Sequence, residues 1–132
     1  MIEIVIASIF ALIAAFFLTV GSMAWSGKLH GNSKVGLQVP EVRDSEEIWY
    51  KAHRVSGPWW VNAGLALAFT AAFALKGFWV FTILGVVVAI GLVSVGSNLG
   101  ARAANILESK EATKEAPAQV DLDAVRRAAG GQ

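Results

Sequence analysis

Two histidines, His30 and His53, are the side chains in this 132-residue sequence best suited to moving a proton near neutral pH. His53 follows Trp49 by one helical turn and lies near Glu46, Glu47 and Tyr50. A carboxylate–histidine pair there could titrate near neutrality; the alternative is an interfacial histidine bonded to a neighbouring helix end, which we favour. Neither histidine falls in a His-Glu-x-x-His pattern or another metal-ligand spacing. The absence of cysteine removes a thiolate nucleophile, a disulfide framework and a thiolate metal site together. No Gly-x-Ser-x-Gly elbow, phosphate-binding glycine loop or dinucleotide fingerprint occurs. The glycines of the last apolar run have no Lys-Ser/Thr after them. The expectation is a chain with no catalytic residue, no metal site and no cofactor.

The elements that would have to position those residues are membrane spans. Apolar residues make up 55% of the chain and charged residues 16%, with a net charge of +1. That balance leaves no strong field to attract nucleic acid. Three charge-free runs, Ile4 to Gly27, Val55 to Leu75 and Gly77 to Ala101, are 24, 21 and 25 residues long. About 20 apolar residues cross the hydrocarbon core as a helix. The reading is all-α and integral to a membrane, with three transmembrane helices near 4–25, 58–75 and 78–100. Pro58 suits the first turn of the second span, and Trp59 and Trp60 suit its interface. Lys76-Gly77 leaves room only for a tight hairpin between spans two and three. The acidic start Met1-Ile2-Glu3, the length of the first run and the lack of a clear cleavage site predict an uncleaved first helix.

Ten of the eleven basic residues lie in the loop between spans one and two or in the C-terminal tail; only Lys76 lies on the other side. The positive-inside rule then places the N-terminus outside and loop 26–57 and the tail in the cytoplasm.

The first half of that loop carries three glycines and no helical period, so it should be irregular. Pro40 biases Val39 towards an extended conformation. Asp44-Ser45-Glu46-Glu47 then opens a helix over 44–55, with Asp44 as N-cap and Glu47 completing a capping box. Ile48, Ala52 and Val55 share one face beside Trp49, and Glu47–Lys51 is a favourable i,i+4 pair. Two partners for that face remain open. One is the inner membrane surface, giving an amphipathic interfacial helix; the other is the ends of the three spans. Gly57-Pro58 is the expected bend between this helix and span two.

Residues 1–107 thus form a three-span membrane domain. Residues 108–132 form a polar tail, expected to be largely flexible, in which Asp121 to Ala129 could make a short helix capped by Asp121. In the third span Gly85, Ala89, Gly96 and Gly100 fall on one stripe of small residues. Such a stripe lets helices approach closely. It suits packing inside this chain, against span one or two, or alternatively a homodimer face. Asn62, Ser94 and Asn98 read as uncharged glue between helices. No ionisable residue sits at mid-membrane, which argues against a transporter.

The loop residues carry a family resemblance. Asn32, Gly36 and Pro40, followed by Ser45, Trp49, His53 and Arg54, match in order and spacing the Asn-x-x-x-Gly segment and Ser-x-x-x-Trp-x-x-x-His/Asn-Arg helix of the SdpI family of small bacterial membrane proteins. The resemblance covers roughly residues 25 to 95 and implies three spans in a bacterial cell membrane. Where the family carries an arginine, this chain has Gln38, and Val39 replaces the following threonine. Arg43 is a nearby basic residue that could substitute. The family's named member protects its producer from a secreted toxic peptide and holds a regulator at the membrane. The resemblance therefore implies immunity or signal relay, with a toxin peptide or a regulator as partner beside the lipid bilayer. Trp49, His53 and Arg54 are then the contact candidates. A different class of role, an accessory non-catalytic subunit of a larger respiratory or transport complex, suits the small polar interior of the spans and the long tail.

Overall fold

The computed structural model describes residues 1–115 and 122–130. Helix α1 spans Ile2–Trp25 and α2 is the short Pro40–Arg43. Helix α3 spans Glu46–Leu75, α4 Trp79–Glu115 and α5 Leu122–Ala129. No strand occurs among the described residues. Three of these helices, α1, α3 and α4, are long and apolar enough to cross a membrane. At 1.5 Å per residue α3 is about 45 Å long, more than the roughly 30 Å hydrocarbon core, so part of it extends beyond the hydrocarbon.

Helix α3 is the centre of the molecule. It packs on α1 along one side and on α4 along the other, while α1 and α4 make no direct backbone approach to one another. Both seams are built from small residues. Ala7, Ala14 and Gly21 recur every seven residues on α1 and are buried. Gly57, Gly64 and Ala71 recur every seven on α3 and are buried too. Seven-residue spacing keeps a stripe facing one neighbour over many turns. The approach is close enough that a Cβ on Gly57 would lie 2.5 Å from the backbone nitrogen of Trp25, and one on Gly21 would lie 2.7 Å from that of Val61. In lipid, where apolar surface gains nothing by leaving the solvent, such contact is a main source of helix association.

Two expectations about α3 change. The helix boundary expected at Gly57-Pro58 is absent: the loop helix and span two form one continuous helix. Pro58 removes one donor, which leaves the Arg54 carbonyl without its helical partner, and Arg54 is an exposed residue. The N-cap is Ser45, whose Oγ accepts from the Ile48 backbone at 3.5 Å, not Asp44. Asp44 instead ends α2, a turn that Pro40 starts from an extended Val39.

The loop is irregular from 28 to 39 apart from turns, as its glycines dictate. It is nevertheless folded. Leu29, Leu37 and Val42 are buried with Ile48, Trp49 and Ala52 of α3, Ala104 of α4 and Ala24 of α1. The apolar face of α3's first turns is therefore covered by the chain's own loop and helix ends. Helix α4 continues to Glu115, past the boundary expected near residue 107. The expected flexible tail falls partly outside the described residues, as does the Asp121 cap. The short helix itself is present as α5.

Candidate functional site: the folded loop on helix α3

Two indole and imidazole side chains of α3 pin the loop. Trp49 donates its Nε1–H to the carbonyl of Leu29 at 2.8 Å. His53 accepts at Nε2 from the backbone N–H of Leu37 at 2.8 Å. Its Nδ1 lies 2.7 Å from the carbonyl of Trp49, one turn earlier on the same helix. A ring that accepts at Nε2 and meets a carbonyl at Nδ1 is the neutral tautomer protonated at Nδ1. The imidazole stacks on Trp49, with centroids 4.1 Å apart, and meets the edge of Trp60 at 5.8 Å. His53 is 1% exposed, yet both of its nitrogens are satisfied. Burial without a penalty requires such pairing.

Gly36 is the residue that lets His53 reach the backbone. Its φ is +107°, a conformation that favours glycine. A Cβ there would collide with the His53 ring. Asn32 shapes the approach. Its Oδ1 accepts from the backbones of Lys34 at 2.9 Å and Val35 at 2.7 Å, and its Nδ2 donates to the carbonyl of His30 at 2.9 Å. This side-chain turn replaces the ladder bonds an irregular loop lacks. Gln38 donates to the carbonyl of Asn32 at 3.3 Å, so the residue in the arginine position closes the same turn.

The structure thus brings Asn32, Gly36, Gln38, Trp49 and His53 together, and Pro40 begins the helix that follows. Arg54 stands apart: it is exposed and has no hydrogen bond or ion pair among the described residues. Trp49 and His53 face the loop's interior, not a solvent-exposed surface. The carboxylate–histidine pair considered above does not form, because Glu46 and Glu47 are exposed and Glu47 pairs with Lys51. His30 is exposed and only edges Tyr50, at 6.4 Å.

The small-residue stripe of α4 packs inside the chain. A Cβ on Gly85 would meet Thr70, one on Gly96 would lie 2.5 Å from the Trp59 Cβ, and one on Gly100 would meet Ser56 and Leu37. Ala89 is buried in one cluster with Leu67 of α3. The polar contacts between helices rest on two serines the sequence did not single out, Ser56 and Ser97. Ser56 Oγ donates to the Gly96 carbonyl at 2.8 Å, and Trp60 Nε1–H donates to Ser97 Oγ at 3.3 Å. The three expected glue residues do not serve that purpose. Asn62 bonds the Pro58 carbonyl of its own helix, and Ser94 and Asn98 are exposed on α4 without a partner among the described residues. The signal for Ser56 was available: it sits one turn from Ala52 on the face that also carries His53.

Three apolar helices around a small-residue centre, closed at one end by a loop pinned through a buried histidine, define a multi-pass membrane protein whose exposed apolar flanks contact lipid. The family model described as the SdpI/YfhL protein family matches residues 28–97, just over half of the chain. The chain belongs to that family. No curated protein and no solved structure gives a match.

Proposed function

We propose that this SdpI-family membrane protein is non-enzymatic and gives its cell immunity to a membrane-active peptide, or relays the presence of one to a regulator. The observation that carries the reading is the folded loop. Most residues that bear the family pattern are spent on holding one shape, while Arg54 of that pattern is exposed beside it together with Lys34 and Arg43. A rigid surface with unpaired cations suits recognition of a protein or peptide better than turnover of a small molecule.

Arg54→Ala is the clean test, since the exposed Arg54 side chain has no hydrogen bond or ion pair among the described residues that its loss would break. Cells carrying it should lose protection against a toxic peptide at unchanged protein level. Full protection would overturn Arg54 as a contact. Trp49→Ala is not equivalent, because it removes a buried anchor of the loop as well.

A second reading, an accessory subunit of a larger membrane complex, is supported by Ser94 and Asn98, two polar side chains exposed on α4 beside Gly91, where a Cβ would meet nothing. A polar group facing hydrocarbon gains from a neighbouring helix that can bond it. Purification from native membranes in mild detergent separates the two readings. A stoichiometric set of large subunits would establish the accessory role, and a lone protein would leave immunity or signal relay.

A further inference from the structure

Because α1 and α4 both pack on α3 but not on each other, a trough runs between them. Its deeper part is a cavity of about 300 Å³ walled by Phe10 and Ile13 of α1 and Val86 and Ile90 of α4, with Leu67 of α3 in its lining. A second cavity of about 270 Å³ shares Phe17 and Val93 with the first and continues towards the loop. It ends among Lys34, Gly36, Trp60 and Ser97. The trough is therefore apolar along most of its length, with Ser94 beside Val93 where the two cavities meet, and charged only at the loop end. Lys34 is the one charged side chain among these lining residues. It is exposed and has no ion pair among the described residues.

Length and volume select the occupant. On α4 the trough runs from Val86 to Ser97, about 16 Å at 1.5 Å per residue. That is roughly half of a 30 Å hydrocarbon core, the depth of one leaflet. A transmembrane helix about 10 Å across would fill roughly 1,200 Å³ over the same length, far more than these cavities offer. An acyl chain is thin enough. A lone ammonium at the interface end then faces the position of a lipid headgroup, where a cation favours an anionic head.

We propose that the trough between α1 and α4 is a site for one acyl chain of an anionic phospholipid, with the Lys34 ammonium on the headgroup phosphate. The site shares Lys34 with the exposed cations of the recognition surface proposed above, but it does not depend on that role. The small side chain of Ala89 keeps the trough open beside Leu67, and the Asn32 turn holds the backbone of Lys34 at its mouth.

The test is native mass spectrometry of the full chain in mild detergent, titrated with phosphatidylglycerol and, separately, with phosphatidylcholine of the same acyl chains. The wild-type protein should retain one phosphatidylglycerol, with a preference over phosphatidylcholine of about fivefold, the value expected of one interfacial lysine. Lys34→Gln, at an exposed residue with no internal partner, should bring that preference close to one while keeping the chain-dependent binding. Ile90→Trp, at a rim position that is 61% exposed, should block the trough and lower retention of both lipids. Equal retention of the two lipids by the wild type would overturn the proposal. So would an unchanged preference in Lys34→Gln, or unchanged retention in a folded Ile90→Trp protein. A dimer that Ile90→Trp converts to monomer, with no lipid retained by the wild type, would assign the trough to a second copy instead.

Discussion

His53 and Gly36 act as one unit. The imidazole needs an acceptor nitrogen for the Leu37 N–H and a donor for the Trp49 carbonyl, and Gly36 must lack a Cβ for the ring to lie where it does. His53→Phe keeps the aromatic stack and removes both hydrogen bonds. It leaves the buried Leu37 N–H unpaired, a loss of about 1–3 kcal/mol. The expected result is a lower unfolding temperature in detergent and faster proteolysis within 28–39, with the spans still protected. Gly36→Ala should do the same for a different reason. A positive φ disfavours a side chain by roughly 1–2 kcal/mol, before the collision with His53 is counted. If His53 were instead an exposed contact for a partner, neither substitution would change loop proteolysis in the isolated protein. The family's alternation of histidine and asparagine at this position fits the same need, since an amide also offers one acceptor and a donor.

At the scale of elements, glycines that look alike in the sequence differ in whether they lie in a seam. Gly64→Leu should separate α1 from α3, because even a Cβ would lie 2.9 Å from the Leu18 backbone nitrogen. The readout is loss of a disulfide between cysteines placed at Ala14 and Leu67, which share one buried cluster. Gly91→Leu, on the open side of α4, should leave that cross-link intact. Much of this architecture is legible in the sequence. The three spans, the tight hairpin at Lys76-Gly77 and the inward role open to Gly85, Ala89, Gly96 and Gly100 follow from charge-free runs and helical spacing. The seven-residue ladder of Ala7, Ala14 and Gly21 was equally available, but it is diluted in a helix apolar on every side, where periodicity loses its contrast. The helix boundary expected at Pro58 failed because proline disfavours an interior helical position without forbidding it, and the packing of α3 on both neighbours outweighs one missing bond. The loop's fold was the least legible part. Its anchors, Leu29, Leu37 and Val42, are isolated apolar residues with no period, and their partners lie on other helices. The family pattern marked Asn32, Gly36, Trp49 and His53 as a set, but spacing alone does not show that they hold one another.

For the whole molecule, the distribution of basic residues fixes a testable orientation. The loop and the extension of α4 lie at the same end of the bundle, since Ala104 is buried with Leu37 and Val42. Cysteines placed singly at Ser33 and Ser109, both exposed, should react with an impermeant thiol reagent only after the membrane is opened to the cytoplasmic side. A cysteine at Met1 should react in intact cells. Labelling of Ser33 and Ser109 from opposite sides would contradict the fold itself, whereas a common reversal of all three would contradict only the orientation.

That α3 alone touches both other long helices also sets an order of events at birth. As the chain leaves the ribosome, α1 enters the bilayer first and waits there, because the next long helix to arrive is its only companion. The loop that follows it is half clothed when α3 emerges, yet Leu37 and Val42 still lack the wall that Ala104 supplies. Only after the last span has been threaded and its far end delivered is the wall behind the loop complete. A chain interrupted before that moment carries every letter of the family pattern and lacks the Ala104 side of the loop's core. The finished surface of the loop is thus reserved for molecules whose synthesis has run past their third helix.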